Sequence, residues 1–122
     1  MATIMAVDDS PSTLHMIVDT LNRAGHTVMQ AENGAKALEV LSDKTVDLII
    51  TDINMPDMDG VELTQTLRLE PKFKFTPILM LTIETAGHKR LKGKDAGATA
   101  WLVKPFNPQI LNTIVAKLIR ST

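Results

Sequence analysis

The chain has 122 residues, and 44% of them are hydrophobic, which is the size and composition of one packed globular domain. It contains no cysteine, so disulfides, cysteine zinc sites and thiolate catalysis are excluded. With 13 basic and 14 acidic residues the net charge is −1, which gives no general attraction to nucleic acid or to anionic membranes. No stretch has the length and apolarity of a membrane span or a signal peptide, and we expect a soluble, cytoplasmic monomer.

The first two strand–helix units are predicted from apolar spacing and from capping residues. An apolar strand runs from Thr3 to Val7, and the helix after it is capped by Ser10 and ended by Gly25. A more polar strand over Thr27 to Ala31 is expected nearer an edge of the sheet. The next helix begins after Asn33 and ends near residue 43.

A nearly continuous apolar run that begins at Val46 predicts a central strand buried on both faces. Pro56 and the turn residues after it cannot continue that strand, so the chain leaves the sheet between Ile50 and Asn54. Asp52 is therefore expected at the carboxyl end of a central strand. In open α/β sheets this is the edge at which ligands bind.

The second half of the chain continues the same alternation. Its predicted elements are a helix over 61–69, a basic surface connection over 72–76, a strand over 78–82, a helix over 86–96, a strand over 99–103 and a last helix opened by Asn107 and Pro108. The helix over 86–96 contains two glycines, and we expect it to be the most mobile element. The last helix is expected to turn these residues inward: Ile110, Leu111, Ile114, Val115 and Leu118.

Five strands that alternate with five helices predict an α/β fold, a doubly wound five-stranded parallel sheet. If the strand order is the flavodoxin-like 2-1-3-4-5, strands one and three are neighbours, and Asp8, Asp9 and Asp52 meet in one crevice. Three packed carboxylates raise one another's pKa unless a cation lies among them. Mg²⁺ fits best, because it accepts one or two carboxylates and keeps waters for a phosphate.

Two further strand ends deliver polar groups to the same edge of the predicted sheet. Thr82 ends strand four with a hydroxyl donor, and Lys104 follows strand five with a cation. Taken alone, Thr82 would be an ordinary β-forming residue, and Lys104 would be an ordinary surface charge. Together with the carboxylates they indicate phosphoryl transfer to Asp52. Asp57 and Asp59, beside a proline and a glycine, are interpreted as turn residues only.

Five motifs lie in order along nearly the whole chain: Asp8-Asp9-Ser10, Asp52-Ile53-Asn54-Met55-Pro56-Asp57-Met58-Asp59-Gly60, Thr82, Ala96-Gly97-Ala98 and Lys104-Pro105-Phe106. With these motifs the chain resembles the response-regulator receiver domain family of two-component signalling, above all its stand-alone chemotaxis type. Residues 1–122 would then be one receiver domain.

The resemblance implies a phosphoacceptor signalling protein and not an enzyme, apart from self-phosphorylation by small donors and autodephosphorylation. Asp52 would accept the phosphoryl group from the phosphohistidine of a sensor histidine kinase of the chemotaxis type. The implied Mg²⁺ ligands are Asp9, Asp52 and the main-chain carbonyl of Asn54, with Asp8 acting through water. Lys104 and Thr82 would contact the phosphoryl oxygens, and the Lys104–Pro105 peptide bond would be cis.

Asn54 and Glu84 occupy the family positions that tune spontaneous hydrolysis, so the resemblance implies a short-lived phosphoryl group. Ile83 is bulky where the family favours a small residue, and we expect it to narrow access to Asp52. Trp101 stands where the family usually has Tyr or Phe, the ring that turns inward as the switch threonine, Thr82 here, moves. The alternative interpretation is that Trp101 is a partly buried surface anchor.

The resemblance further implies output through the face of helix four, strand five and helix five. The partner would be a downstream protein such as a flagellar motor switch component, with a phosphatase as a further partner. Within the family, a phosphorelay intermediate or a receiver fragment of a longer regulator are alternatives. A flavodoxin is disfavoured because the acidic loop Asp8-Asp9-Ser10 would repel a flavin phosphate. A haloacid-dehalogenase-type hydrolase is disfavoured because Asn54 stands where a second carboxylate is needed.

Overall fold

The computed structural model describes residues 1–83 and 88–120, in which helices cover both faces of a parallel sheet. The strands are β1 Thr3–Val7, β2 Thr27–Ala31, β3 Leu48–Asp52, β4 Ile78–Thr82 and β5 Ala100–Val103. The helices are α1 Pro11–Arg23, α2 Gly34–Leu41, α3 Gly60–Arg68, α4 His88–Ala96 and α5 Pro108–Arg120, with a 3₁₀ turn at Pro71–Phe73. None of the helices in these ranges is both long and apolar enough to span a bilayer.

The strand order is β2-β1-β3-β4-β5, and every neighbouring pair is parallel. The predicted doubly wound fold is therefore confirmed, and so is the edge position of the more polar strand β2. The topological switch point, at which the order of successive strands across the sheet reverses, lies between β1 and β3. In the ladder that joins these strands Val7 pairs with Thr51, so the next residues, Asp8 and Asp52, lie side by side where the two strands end.

Alternate residues of the sheet enter two apolar cores, because successive side chains of a strand point to opposite faces. From β1, Ile4 and Ala6 pack into the core beneath α1 and α5, whereas Met5 and Val7 pack into the core beneath α2 and α3. All five residues of β3 and of β4 are buried. The central strands are thus packed on both faces, and this packing fixes the positions of their carboxyl ends.

Side-chain caps define where the helices begin. The oxygens of Ser10, Asn33 and Asn107 accept hydrogen bonds from backbone N–H groups three residues further on, as predicted. Asp59, predicted to be a turn residue only, also caps a helix: its carboxylate accepts from the Glu62 N–H at 2.9 Å. The polar loop after β3 is thereby tied to the first turn of α3.

Some predicted boundaries and faces were wrong. The central strand begins at Leu48 and not at Val46, which is buried just outside the strand. Ile110 is 48% exposed, because the inward stripe of α5 is centred on Leu111 and Val115, and one residue along a helix rotates by about 100°. The second helix ends at Leu41, short of residue 43. Of the helix predicted over 86–96, the first two residues lie outside the described ranges.

The connection before β4 is more than the basic surface segment that the sequence predicted. Its 3₁₀ turn directs Phe73 into the core, where the side chain is only 2% exposed. The Lys72 ammonium donates hydrogen bonds to the carbonyls of Leu41 and Ser42, at 2.9 and 2.8 Å. This connection therefore holds the end of α2 close to the end of α3.

Candidate functional site

Three carboxylates meet at the carboxyl edge of the sheet. Asp8 and Asp9 directly follow β1, Asp52 is the last residue of β3, and each offers an oxygen within 4.8 Å of the others. Asp8 is fully buried and Asp52 is only 6% exposed, whereas Asp9 faces solvent. The cluster is therefore a buried pair of carboxylates with one accessible carboxylate at its mouth.

Lys104 brings a cation to the buried pair. It directly follows β5, its N–H donates to the Thr82 carbonyl at 2.8 Å, and its ammonium lies 3.0 Å from Asp8 Oδ2 and 3.3 Å from Asp52 Oδ2. Burial alone would lower the pKa of Lys104, but the hydrogen bond to Asp8 and the charge of Asp52 outweigh it and raise that pKa. Lys104 is therefore charged at neutral pH. The peptide bond to Pro105 is cis.

One lysine does not offset the negative charge around Asp52. Burial and then the charge of Asp8 raise the pKa of the Asp52 carboxyl from 3.8 to about 6, although Lys104 and a hydrogen bond from the Asn54 N–H act in the opposite direction. The ionised form of Asp52 is thus held at a cost in the folded protein. An additional cation beside these oxygens would relieve that cost.

The donor set fits Mg²⁺. All three clustered side chains are carboxylates, and hard divalent ions prefer oxygen ligands. The exposed position of Asp9 leaves room for the waters that Mg²⁺ keeps. Asn54 lies at the same edge, because its N–H donates to Asp52 Oδ1 at 3.4 Å. The site can therefore hold a small cation next to a nucleophilic oxygen.

Thr82 and Ile83 lie where β4 ends. Thr82 is buried, and in the β3–β4 ladder Asp52 pairs with Leu81, so Thr82 follows the residue opposite the carboxylate. Ile83 is 71% exposed and forms one wall of a mostly apolar cavity of about 340 Å³, which Lys104 also lines. The cavity thus opens beside the site. Glu84, the other residue predicted here, lies outside the described residues.

Trp101 lies in β5, the edge strand that pairs with β4. It is half-buried and packs in a small apolar cluster with Ile53 and Met80. Gly93 of α4 fits closely over it: a Cβ at this glycine would lie 3.1 Å from the Met80 sulfur and 3.4 Å from the Trp101 indole nitrogen. Trp101 is therefore partly buried beneath α4, and both of its predicted roles, the ring that turns inward and the surface anchor, stay predictions.

Gly60 is a structural residue of the site that the sequence alone did not single out. A Cβ at this position would lie 2.4 Å from the Asp52 carbonyl oxygen and 2.8 Å from the Ile53 Cα, closer than real contacts allow. The Gly60 N–H donates to the Ile53 carbonyl at 2.9 Å. The first residue of α3 therefore packs directly against the main chain that carries Asp52. In the sequence, the glycine at the end of the acidic loop was the feature that could have indicated this close contact.

Fold and site together define a class: a doubly wound α/β protein whose switch point carries a cluster of three carboxylates and a lysine. The family model of the response regulator receiver domain matches residues 4–116, and the chain belongs to this family. It is a signalling domain of two-component systems and not a classical enzyme.

The similar proteins include chemotaxis regulators. The chain is 40% identical over 110 residues to the chemotaxis protein CheY homolog of Campylobacter jejuni, covering 88% of this chain and 85% of that protein. The structure of the chemotaxis response regulator CheY4 of Vibrio cholerae matches with a TM-score of 0.93 and 47% identity, covering 97% of this chain and 98% of that one. The chain is therefore homologous to the CheY type of receiver.

A second solved structure bears on the metal. The receiver domain of the sensor histidine kinase PA1611 from Pseudomonas aeruginosa has a TM-score of 0.91 and 27% identity, and the match covers 98% of both chains. That protein holds a magnesium ion coordinated in its active site cleft. The carboxylate cluster of the present chain offers oxygen donors, which such an ion prefers.

Proposed function

We propose that this chain is a CheY-type response regulator in which Asp52 accepts a phosphoryl group from a sensor kinase phosphohistidine. The observation that carries the proposal is the buried Asp52 carboxylate, which meets Asp8, Asp9 and the Lys104 ammonium at the ends of three strands. In this arrangement a carboxylate oxygen is available as nucleophile beside the Lys104 ammonium and beside acidic oxygens that would hold a further cation.

In the transfer step an Asp52 oxygen forms a bond to phosphorus, and the phosphorus–nitrogen bond of the donor breaks. The bonding electrons leave with the imidazole, which takes up a proton, and Asp52 becomes an acyl phosphate. The Lys104 ammonium, which lies beside Asp52, and the Thr82 hydroxyl would contact the phosphoryl oxygens. Asp9, Asp52 and the Asn54 carbonyl would hold Mg²⁺, with Asp8 acting through water, and the bound ion would neutralise charge on those oxygens.

The phosphoryl group would leave Asp52 by attack of water. Asn54 and Glu84 are the residues proposed to tune this hydrolysis, and Ile83, an exposed residue on the cavity that Lys104 also lines, would narrow access to Asp52. Small acyl phosphates would load the same aspartate without a kinase. We infer a transient signal of this kind in the cytoplasm.

The names of the relatives favour chemotaxis over a phosphorelay. The proposed input partner is a chemotaxis-type sensor kinase, and the output partner is a protein such as a flagellar motor switch component, with a phosphatase as an additional partner. The output face would consist of α4, β5 and α5. In the described part of that face Leu91 and Ile110 are exposed apolar side chains, which a partner could bury.

The test is to incubate the purified protein with Mg²⁺ and a small acyl phosphate and to measure its intact mass. We expect one added phosphoryl group, which disappears after the donor is removed, and none when EDTA replaces Mg²⁺. Asp57→Asn changes an exposed carboxylate of the same loop and should load as the wild type does. A wild-type protein that stays unmodified with saturating donor and Mg²⁺ would contradict the proposal.

The Ile83→Ala variant should take up the phosphoryl group faster and lose it faster than the wild type. The substitution removes an exposed wall of the cavity beside Lys104, so both donors and water reach Asp52 more easily. We expect changes of roughly two- to tenfold in both rates, equivalent to about 1 kcal/mol of barrier. Stopped-flow measurement of both rates checks this, and Ile110→Ala, another exposed isoleucine, is the matched control. Unaltered rates in Ile83→Ala would show that the side chain does not limit access.

A further inference from the structure

Arg68, at the carboxyl end of α3, is a partly buried side chain that donates several hydrogen bonds away from the acidic site. Its Nε and Nη2 donate to the Gly97 carbonyl at 3.1 and 2.8 Å. Its Nη1 donates to the carbonyls of Phe73 and Thr76 at 2.6 and 2.7 Å. One guanidinium thus joins the end of α3, the connection before β4 and the loop between α4 and β5.

All of these acceptors are neutral main-chain carbonyls. Within the described ranges no carboxylate forms an ion pair with Arg68, and burial lowers the pKa of its guanidinium. The carbonyl of Gly97 directly follows the last residue of α4, at the negative end of that helix's dipole. The arginine is therefore bound at the carboxyl terminus of α4 by both hydrogen bonds and electrostatic attraction.

Gly97 makes this contact sterically feasible. Its φ is +109°, and its N–H and that of Ala98 donate to the carbonyls of Lys94 and Gly93, both at 3.0 Å, which is the Schellman ending of a helix. A Cβ at Gly97 would lie 3.0 Å from the Arg68 Nε. The glycine therefore both ends the helix and admits the guanidinium.

The middle of α4 is held differently. It rests on Met80 and Trp101 through Gly93, which has no side chain to interlock with them. In the described part of α4, the hydrogen bonds from Arg68 hold the carboxyl end, whereas Gly93 is held by packing, so the carboxyl end has the larger barrier to movement.

We propose that Arg68 is a positioning residue that fixes the carboxyl end of α4 to α3, so that the phosphorylation-dependent movement of α4 is a tilt about Gly97 and not a translation. The tilt rests on the proposed function, because it describes how the output face responds to Asp52. The fixed end itself does not depend on phosphorylation.

Amide hydrogen exchange of wild type, Arg68→Met and Arg68→Lys tests the fixed end without any ligand. In Arg68→Met the Gly97 and Ala98 amides should exchange at least about tenfold faster relative to amides of β3, whereas a general loss of stability would accelerate all of them equally. Arg68→Lys keeps the charge but loses the fork of donors, so it should restore only part of the protection.

The matched control is Arg23→Met. Arg23 lies near the end of α1, which closes with the same glycine motif: the N–H groups of Gly25 and His26 donate to the carbonyls of Asn22 and Leu21. Arg23 is exposed and pairs only with Asp19 in the described structure. Its removal should change exchange of the Gly25 and His26 amides by less than about threefold.

The tilt is tested by adding Mg²⁺ and beryllofluoride as a phosphoryl mimic. In the wild type, exchange at Leu91 and Lys92 should change while Gly97 and Ala98 stay within about twofold of their ligand-free rates, and in Arg68→Met the change should reach Gly97. Equal changes at both ends of α4, or a response confined to the acidic site, would overturn the tilt. Unaltered Gly97 exchange in ligand-free Arg68→Met would overturn the fixed end.

Failure of the proposed function has a different signature. The mimic would then leave every amide unchanged, including that of Asn54 beside Asp52, and the tilt would fall with the function. The ligand-free comparison of Arg68→Met with wild type would still decide whether Arg68 holds the end of α4.

Discussion

The Asp52→Asn variant is expected to be more stable than the wild type at pH 7 in metal-free buffer, by about 1–3 kcal/mol in the free energy of unfolding. Burial and the charge of Asp8 raise the pKa of the Asp52 carboxyl from 3.8 to about 6. The folded state therefore opposes ionisation of this group, and each pKa unit corresponds to about 1.4 kcal/mol. The neutral amide of Asn avoids this destabilisation while it keeps the size of the side chain.

The sign of the effect fixes its pH dependence. Between pH 3.8 and about 6 the folded wild type binds a proton that the unfolded chain releases, so its stability falls as the pH rises through this window. The stability of the Asp52→Asn variant should not fall in this way as the pH rises. The difference between the two proteins should thus be full above the folded pKa and should vanish below pH 4.

Urea unfolding in EDTA at a series of pH values measures this difference. Asp57→Asn changes an exposed carboxylate of the same loop and should stay within about 0.5 kcal/mol of wild type. Added Mg²⁺ should reverse the order, because an ion that binds the folded wild type stabilises it. An Asp52→Asn protein that is less stable than wild type at pH 7 without metal would contradict the electrostatic account of the site.

The same variant should take up no phosphoryl group from a small acyl phosphate, since an amide is not a nucleophile for this transfer. Intact mass after incubation with donor and Mg²⁺ provides the measurement. Gain of stability together with complete loss of phosphoryl uptake would identify Asp52 as a residue kept for chemistry at the expense of folding. Uptake that persists in Asp52→Asn would place the acceptor elsewhere.

The Gly60→Ala variant is expected to lose about 2–4 kcal/mol of stability and to load Asp52 much more slowly. The new methyl group would stand 2.4 Å from the Asp52 carbonyl oxygen and 2.8 Å from the Ile53 Cα, which are main-chain atoms of the central strand and of the residue after it. Neither can move without displacing the acceptor. Alanine's better helix propensity offsets this by at most about 1 kcal/mol.

Gly34→Ala is the matched control for Gly60→Ala. Each glycine is the first residue of a helix, and each follows a capping side chain, Asn33 or Asp59. A Cβ at Gly34 would meet the flexible side chain of Met58, which can move aside. We expect Gly34→Ala to cost less than about 1 kcal/mol, and equal losses in the two variants would show that the main-chain contact at Gly60 is not decisive.

The sequence predicted those parts of the fold that depend on local signals. The bounds of β1, β2 and β4 follow from apolar runs with turn residues beside them, and these strands were predicted residue for residue. The caps at Ser10, Asn33 and Asn107 were equally local, because the interaction spans one helical turn. The meeting of Asp8 and Asp52 needed the strand order in addition, which parallel topology restricts to a few choices.

Features that depend on distant partners could not be predicted. Phe73 lies in a polar, lysine-rich segment, and only the docking of the 3₁₀ turn against the core of α2 and α3 buries it. Arg68 looks like an ordinary basic residue at the end of a helix, and its acceptors at Gly97 and Thr76 come from other loops. Gly60 was visible as a turn residue, but its contact with the main chain of Asp52 is a property of the assembled site.

The pairing of Val7 with Thr51 has an architectural consequence. Because the main-chain ladder of the sheet sets the distance between Asp8 and Asp52, the geometry of the acceptor does not depend on the lengths of the loops around it. Insertions in the segment between Pro56 and Asp59 should leave the acidic pair in place. The domain is thus suited to loop grafting, because the strands hold the acidic pair and the exchangeable loops can carry specificity.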